Sequence, residues 1–503
     1  MAHRALPVGP GVAASLAVLA FVLVPLGAVA LRAGGAGMPS PGDWAAFRFT
    51  LWQAALSALI SCALAVPVAR ALMRRRFPGR ALFISLIGAP FILPVIVAVF
   101  GLVAIFGRNG WLNAALGPLG LPPLSIYGAH GVILAHVFFN LPLATRMLLS
   151  GFASIPGEHW RLAEALNLPR FRFLEWPMLR DRLPGAFLLI FLICLTSFAV
   201  ALTLGGGPRA TTLELAIYQA LRFDYDLGKA ALMAAAQCAV CLAALALARR
   251  VALAPVAAPG LGLPPRLPSG PLWLDALVIA AAGAFLLLPL AAVVTSGLAG
   301  IAELPPTIWR AALRSLIVAL SATALSMALA LLMARTGGRL AEVASALPLA
   351  ASSLVTGTGI FLILFRLIRP EALALPATIA VNAVIALPFA YRILRPALQQ
   401  AEMNYGRLAD QLGLAGLARW RLMLAPLARG PIGFAAGLIG AMAMGDLGVI
   451  ALFASQEQQT LPLAMSRAMG AYRMEEAAGA GLLLVIMAFG LFWIFDRGGR
   501  DAN

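Results

Sequence analysis

The sequence has few charged residues, and this scarcity decides the class of protein. Only 11% of its 503 residues are charged, whereas 62% are hydrophobic. An ordinary soluble domain carries about 25% charged residues. So few charges cannot cover a surface in water, and so many apolar residues exclude a disordered chain. The sequence therefore predicts a polytopic membrane protein, in which each spanning helix takes about 20 apolar residues.

The residue types that carry catalysis, metal binding and disulfide bonds are also scarce. The chain has four Cys and four His. The Cys residues lie in or beside apolar runs, which argues against a disulfide framework. His130 and His136 are six residues apart on one predicted helix and point to different faces, so they do not form a zinc site. We predict no catalytic residue and no metal site, and the chain is not expected to be an enzyme.

Lysine and acids inside the apolar runs are nearly absent. The single lysine, Lys229, lacks the glycine-rich surroundings of a nucleotide-binding phosphate loop. If a nucleotide drives this protein, a separate subunit must bind it. Asp446 is the one clear acid inside an apolar run, whereas proton relays depend on such acids. It is interpreted either as part of a translocation path or as a polar helix break beside Gly445 and Gly448.

What the sequence does contain is apolar runs of spanning length, in two series of six. They lie near 12–31, 51–73, 82–106, 126–149, 183–204 and 229–248, and near 273–296, 311–334, 343–366, 373–394, 431–453 and 475–495. Each run is predicted to be a helix, because a lone strand leaves its backbone unsatisfied in lipid. An even number of spans gives both series the same orientation. The predicted fold is therefore all-α, with about 12 transmembrane helices in two tandem parallel six-helix repeats.

Short motifs recur in the same order in both series, which indicates a duplication. Phe21–Leu26 recurs at Phe285–Leu290, Trp52–Leu56 recurs at Trp309–Leu313, and the motifs between Leu141 and Leu168 recur 246 residues later. A proline-rich segment separates the series and has the composition of an extended linker. We predict a first transmembrane domain at 1–250, a linker at 251–272 and a second transmembrane domain at 273–503.

The basic residues predict an orientation in a membrane rather than a nucleic-acid partner. The net charge is +17, and basic residues that lie between spans meet anionic lipid and accumulate on the cytoplasmic side. Most of them fall on one side if both termini are cytoplasmic. We therefore expect contact with membrane lipid, no nucleic acid, and both termini in the cytoplasm.

A loop of mixed polarity follows the fourth span of each series, and we call these the first loop (150–182) and the second loop (397–430). Each contains leucine and alanine at helical spacing, with charged residues on the other faces. Such a helix suits docking into a groove on a partner, although it could also lie on the bilayer surface. Because it occurs twice, a two-fold partner is favoured. The residues assigned to docking are Arg161, Leu162, Ala163, Glu164 and Asn167 in the first loop and Arg407, Leu408, Ala409, Asp410 and Gly413 in the second.

Both loops resemble the EAA motif of permease subunits of ATP-binding-cassette importers, in which Glu-Ala-Ala precedes a Gly and then a Pro thirteen residues further on. Ala409, Gly413 and Pro426 match that spacing, whereas the first loop has Asn167 in place of the Gly and Pro177 three residues early. Both loops carry Arg where the motif has Glu. The resemblance implies a type I importer permease in the bacterial inner membrane. It also implies a periplasmic substrate-binding protein and two copies of a cytoplasmic ATPase subunit, which holds ATP and Mg²⁺ so that this chain needs no cofactor.

A glycine-rich segment after the fifth span narrows the resemblance. The stretches 204–226 and 445–453 resemble those of thiamine importer permeases, which implies transport of thiamine or its phosphates. Ferric-iron importer permeases are the nearest alternative, and a 12-helix secondary transporter is another class. The residues assigned to the translocation path or outer loop are Gly205, Gly206, Gly207, Glu214, Tyr218 and Asp446. We expect Glu214 to join Asp224 and Asp226 in an outer acidic surface; the alternative is a loop that packs against the delivery protein.

Overall fold

The fold is seen in a computed structural model that describes residues 9–35, 37–80, 83–84, 93–205, 207, 210–251, 271–336, 338–349, 351–455 and 457–500. All regular structure in these ranges is helical. Ten of the described helices are long and apolar enough to cross a membrane, and two further helix pairs, each bent at a short break, bring the number to twelve if each pair is one span. The prediction of an all-α polytopic membrane protein is confirmed.

Ten helices have their bounds within the described residues of the first half. They are α1 (Gly9–Ala33), α2 (Pro41–Arg74), α3 (Val95–Phe106), α4 (Trp111–Leu116), α5 (Ala129–Ala153), α6 (Gly157–Ala165), α7 (Trp176–Leu195), α8 (Phe198–Leu204), α9 (Leu213–Arg222) and α10 (Leu227–Val251). Helix α2 shows how local sequence sets such bounds. Ser40 and Asp43 form a reciprocal capping box at its start, with Ser40 N donating to Asp43 at 2.8 Å.

The second half repeats this series with small changes. Its helices are α11 (Leu272–Gly300), α12 (Pro306–Thr336), α13 (Arg339–Ala346), α14 (Ser353–Leu364), α15 (Pro370–Gln411), α16 (Gly416–Arg419), α17 (Ala425–Leu427), α18 (Arg429–Met444), α19 (Gly448–Phe453), α20 (Leu461–Gly470) and α21 (Met474–Arg500). A π-helical turn precedes α7 at Phe171–Glu175, and a second one precedes α17 at Trp420–Leu424. Of the linker predicted at 251–272, residues 252–270 lie outside the described ranges.

The registers of α2 and α12 correct one of the sequence matches. Every buried position of α2 from Asp43 to Ala69 has a buried counterpart 265 residues later in α12. At this shift Trp44, not Trp52, is the counterpart of Trp309. The match of Trp52–Leu56 to Trp309–Leu313 was wrong because similar apolar letters recur along a helix, whereas burial repeats only in the true register.

Three predicted spans are not single straight helices. The run at 183–204 is divided between α7 and α8, which meet at 60°. The run at 343–366 is likewise bent between α13 and α14, and that at 431–453 is interrupted between α18 and α19. Breaks inside a membrane protein are tolerated where other helices cover the freed backbone groups. They place polar backbone in the interior of the molecule.

The first span of each half packs against the other half. Helix α1 lies against α12, α13 and α14, and α11 lies against α2 and α3. The contacts are equivalent and close: a Cβ on Gly101 of α3 would meet the backbone of Pro289, and one on Gly359 of α14 would meet the backbone of Pro25. Only glycine permits helix backbones to approach this closely. The two halves therefore interlock and share their core.

Candidate docking loops and central polar residues

The two loops end their helices in the same way. Leu168 N donates to Ala163 O at 2.8 Å, and Leu414 N donates to Ala409 O at 2.9 Å. This i to i−5 hydrogen bond belongs to the Schellman motif, which needs a left-handed residue just after the helix. Asn167, with φ of 51°, and Gly413, with φ of 67°, fill that position. Asn167 therefore takes the conformation that the EAA-like pattern reserves for glycine.

The alanines assigned to docking face inward, and the leucines beside them face outward. Ala163 and Ala409 are buried, as is Trp160. The leucines at 162, 166, 408 and 412 are between 51% and 66% exposed. Apolar side chains exposed in this way are covered either by a protein partner or by the bilayer surface. The structure thus places two matching apolar surfaces at the same end of the molecule, which we call the loop end.

The charged residues assigned to docking are also exposed, and several form ion pairs within their own loop. Glu164 pairs with Arg170 at 3.2 Å, and Asp410 pairs with Arg419 at 2.6 Å. Arg419 also binds Glu402, and hydrogen bonding to this carboxylate raises the pKa of the Arg419 guanidinium. Arg161 lies 3.4 Å from Glu158, and Arg407 is exposed. These pairs hold each loop in one conformation while the leucines stay free to bind.

Sequence reasoning missed an arginine that stacks on each loop. The Arg70 guanidinium lies 4.7 Å from the centre of the Phe171 ring, and that of Arg335 lies 5.6 Å from the centre of the Trp420 ring. The two arginines are equivalent at the shift of 265 residues. Each aromatic residue opens a π-helical turn six residues before Pro177 or Pro426. That shared aromatic-to-proline spacing was the signal in the sequence.

A buried ionic network at the loop end of the first half was also missed. Glu175 is 3% exposed and pairs with Arg70 at 2.5 Å. Asp275, in the first turn of α11, is 5% exposed and lies 3.5 Å from Arg74 and 2.7 Å from Arg75. Buried charges must be paired. The network fixes the start of the second half against the end of α2.

The expectation of an outer acidic surface that includes Glu214 is corrected. Glu214 is 1% exposed, whereas Asp224 and Asp226 are exposed. It lies in α9, where Thr212 caps the helix by accepting from Leu215 N at 3.3 Å. It faces the second half, where α9 packs against α14, the helix that Ser352 caps, and its Oε1 atom has no partner among the described residues. The amphipathic α9 turns this acid inward, toward the boundary between the halves.

Asp446 lies at the break between α18 and α19. Its Oδ1 atom accepts a hydrogen bond from Gly448 N at 3.4 Å, so it supports the start of α19. The Asn382 amide lies beside the carboxylate, yet Asp446 Oδ2 has no hydrogen-bond partner among the described residues. The helix-break interpretation of Asp446 therefore matches its position, and its free oxygen leaves a role in a path open.

The remaining assigned residues lie around α8 and α9. Gly205 follows α8 and is buried, Gly207 has φ of 125°, and Gly206 lies outside the described residues. Tyr218 packs between Phe198 and Phe223, with ring centres 5.2 and 5.7 Å away. Within the described part of the chain, no group of three or more His, Cys, Asp or Glu side chains could hold a metal ion. Tyr218 thus helps to fix α9, which carries Glu214.

Two interlocked six-span repeats, with matched loops at one end and polar residues between them, define a multi-pass membrane permease. No protein-family model matches the sequence. The chain is 41% identical over 495 residues to the thiamine transport system permease protein ThiP of Brucella abortus, covering 93% of this chain and 91% of that protein. It is 40% identical to ThiP of Salmonella typhimurium, covering 92% and 90%, and 39% identical to ThiP of Escherichia coli, covering 90% and 89%. The chain belongs to the family of thiamine transport system permease proteins.

Proposed function

We propose that this chain is the membrane permease of an ATP-driven, binding-protein-dependent importer that carries thiamine or its phosphates across the bacterial inner membrane. Its relatives are named for thiamine transport. The observation that carries the ATP-driven mechanism is the pair of loops, which share one hydrogen-bond pattern and expose equivalent leucines. A secondary transporter has no use for two such surfaces.

In this proposal, each loop binds one copy of a cytoplasmic ATPase subunit. The exposed leucines enter a groove on that subunit, in the manner of an amphipathic helix. ATP and Mg²⁺ are held by the ATPase, and this chain binds neither. The loop end and both termini face the cytoplasm, in agreement with the distribution of basic residues. A periplasmic binding protein delivers the solute at the opposite end.

Movement of the solute follows from the two-fold construction. ATP binding draws the two ATPase subunits together, and the loops move with them. The halves interlock through α1 and α11. In this proposal each half moves as a unit, and the two halves rock against each other. Glu214 and Asp446 each leave one carboxylate oxygen without a partner among the described residues. These oxygens favour a cationic solute such as thiamine over a neutral one.

The docking step is tested by placing charge on the exposed leucines. We expect Leu162→Glu combined with Leu408→Glu to abolish co-purification of the ATPase and uptake of thiamine, because a carboxylate in an apolar groove loses its hydration. Both side chains are more than half exposed, so insertion of the chain in the membrane should be unchanged. Leu121→Glu is the control, because Leu121 is 51% exposed, belongs to neither loop and lies outside the candidate membrane spans.

The result also separates the two transport mechanisms. If the double variant transports thiamine normally, or if uptake by the natural chain survives ATP depletion with the ion gradient intact, the ATP-driven proposal is wrong. If uptake requires ATP but favours ferric iron over thiamine, the solute is wrong and the docking role stands.

A further inference from the structure

At the end away from the loops, α2 and α12 hold a second pair of equivalent contacts. Thr50 Oγ1 accepts a hydrogen bond from Leu213 N, and Ser315 Oγ accepts one from Leu461 N, each at 2.8 Å. Leu213 and Leu461 are the first residues of the short helices α9 and α20. The first N–H groups of a helix have no partner within it. These hydroxyls satisfy one such group and tie each short helix to a long one.

The same two helices meet the loops at their other ends. Arg70 and Arg335 stack on Phe171 and Trp420, which open the π-helical turns after the docking surfaces. Arg70 follows Thr50 by 20 residues, and Arg335 follows Ser315 by the same interval. A helix rises 1.5 Å per residue, so each interval covers about 30 Å, the thickness of the hydrocarbon core. One helix in each half therefore connects a docking loop to a short helix across the membrane.

We propose that α2 and α12 are the transmission helices of this permease, and that Arg70, Phe171 and Thr50, with Arg335, Trp420 and Ser315, are their positioning residues. The proposal rests on the docking role of the two loops. When a loop moves with its ATPase subunit, the π-helical turn moves the stacked arginine, and the rigid helix displaces α9 or α20. Because α9, which carries Glu214, packs against α14 of the other half, the displacement reaches the boundary between the halves.

Continuity with the fourth span does not provide this connection in the first half. Helix α5 ends at Ala153 and α6 begins at Gly157 after Pro156, so the loop is not a rigid extension of its own span. On its other side the loop continues through the π-helical turn into α7, and the stacked Arg70, which also pairs with the buried Glu175, adds a contact between the loop and α2. Side-chain contacts recurring at equivalent places in both halves indicate a shared mechanical role and not a local accident of packing.

The test is made on the complex of this chain with its ATPase and binding protein in liposomes, measuring ATP hydrolysed per thiamine imported. In Phe171→Leu and Trp420→Leu, the cation–π contact is lost, and we expect this ratio to rise about fivefold while ATPase binding stays normal. Phe171→Trp and Trp420→Phe give each half the aromatic residue that the other half has. They should keep the ratio of the natural chain.

The other end of each transmission helix gives a second measurement. Thr50→Val and Ser315→Ala remove the hydroxyl acceptors and should also raise the ratio. Ser61→Ala and Ser326→Ala are matched controls, because these buried hydroxyls occupy equivalent places in α2 and α12 and have no hydrogen-bond partner among the described residues. They should leave the ratio unchanged.

The outcomes separate this inference from the proposed function. If the variants bind the ATPase and couple normally, or if the serine controls uncouple to the same degree, the transmission role is overturned. Should Phe171→Leu and Trp420→Leu fail to insert in the membrane, Thr50→Val and Ser315→Ala alone test the transmission role. If the natural chain does not bind the ATPase at all, the proposed function itself fails.

Discussion

The two loops reach the same helix-end geometry from different backbones. In the second half, α15 runs unbroken from Pro370 to Gln411, so that the fourth span and the docking helix are one rod. In the first half, the chain breaks before α6 at Pro156, whose counterpart 246 residues later is Glu402. Proline has no N–H to donate and restricts the residue before it. Pro156 lies at this break, but α15 accommodates Pro376, Pro388 and Pro396 without one, so the residues around Pro156 contribute to the break as well.

The side chains that anchor the loops differ in the same way. Among the described residues Arg170 of the first half pairs with Glu164 alone, whereas its counterpart Arg419 binds both Glu402 and Asp410. Five residues after Arg170 the first half buries Glu175, whereas five residues after Arg419 the second half buries Leu424. Backbone geometry is therefore repeated more faithfully than chemistry. What both halves need is the placement of the docking surface, and several sets of contacts can supply it.

The largest expected effect comes from giving the second half the break of the first. In Glu402→Pro, proline inside α15 costs about 3 kcal/mol because it removes a helix hydrogen bond and crowds the preceding turn. We expect a clear fall in the thermal unfolding midpoint in detergent and reduced binding of the ATPase. Glu402→Ala is the control, because it removes only the carboxylate partner of Arg419. Equal midpoints for the two variants would show that the continuity of α15 does not stabilise the second loop.

A smaller effect is expected at the left-handed residue of each loop. No atom lies within 4 Å of a Cβ placed on Gly413, so backbone conformation alone sets the cost of a side chain there. Valine at positive φ costs about 1–2 kcal/mol, whereas asparagine tolerates it. Gly413→Val should weaken ATPase binding several-fold in a pull-down titration. Gly413→Asn, which copies Asn167, should bind almost as the natural chain does. Weak binding by both variants would mean that the side chain, and not the backbone, matters there.

The class of fold and the number of spans could be predicted from the sequence because they follow from hydrophobicity averaged over about 20 residues. The residues assigned to docking could be grouped from the sequence, since Leu162, Ala163 and their counterparts share helical spacing, and their docking role stays a prediction. The direction of each side chain was settled only by packing, which buries the alanines and exposes the leucines. Helical periodicity alone does not distinguish an apolar surface that faces the core from one that awaits a partner.

Long-range placement could not be predicted from local patterns. Glu214 was expected at the outer surface because it follows the glycine-rich segment after the fifth span, yet α9 buries it against α14 of the other half. The contact between Arg70 and Phe171 joins residues about 100 positions apart. The register of α2 was misread for the same reason, since many alanine- and leucine-rich alignments look alike until burial selects one of them.

The smallest expected effect compares the two loop arginines directly. Arg170→Gln removes one partly exposed ion pair, worth below about 1 kcal/mol, whereas Arg419→Gln removes two. We expect Arg419→Gln to lower the thermal unfolding midpoint further than Arg170→Gln does. The difference should shrink at high ionic strength, because salt screens exposed charges. Midpoints measured at low and high salt check both points. A difference that is absent at low salt, or that persists unchanged at high salt, would mean that the second carboxylate does not stabilise the loop through its charge.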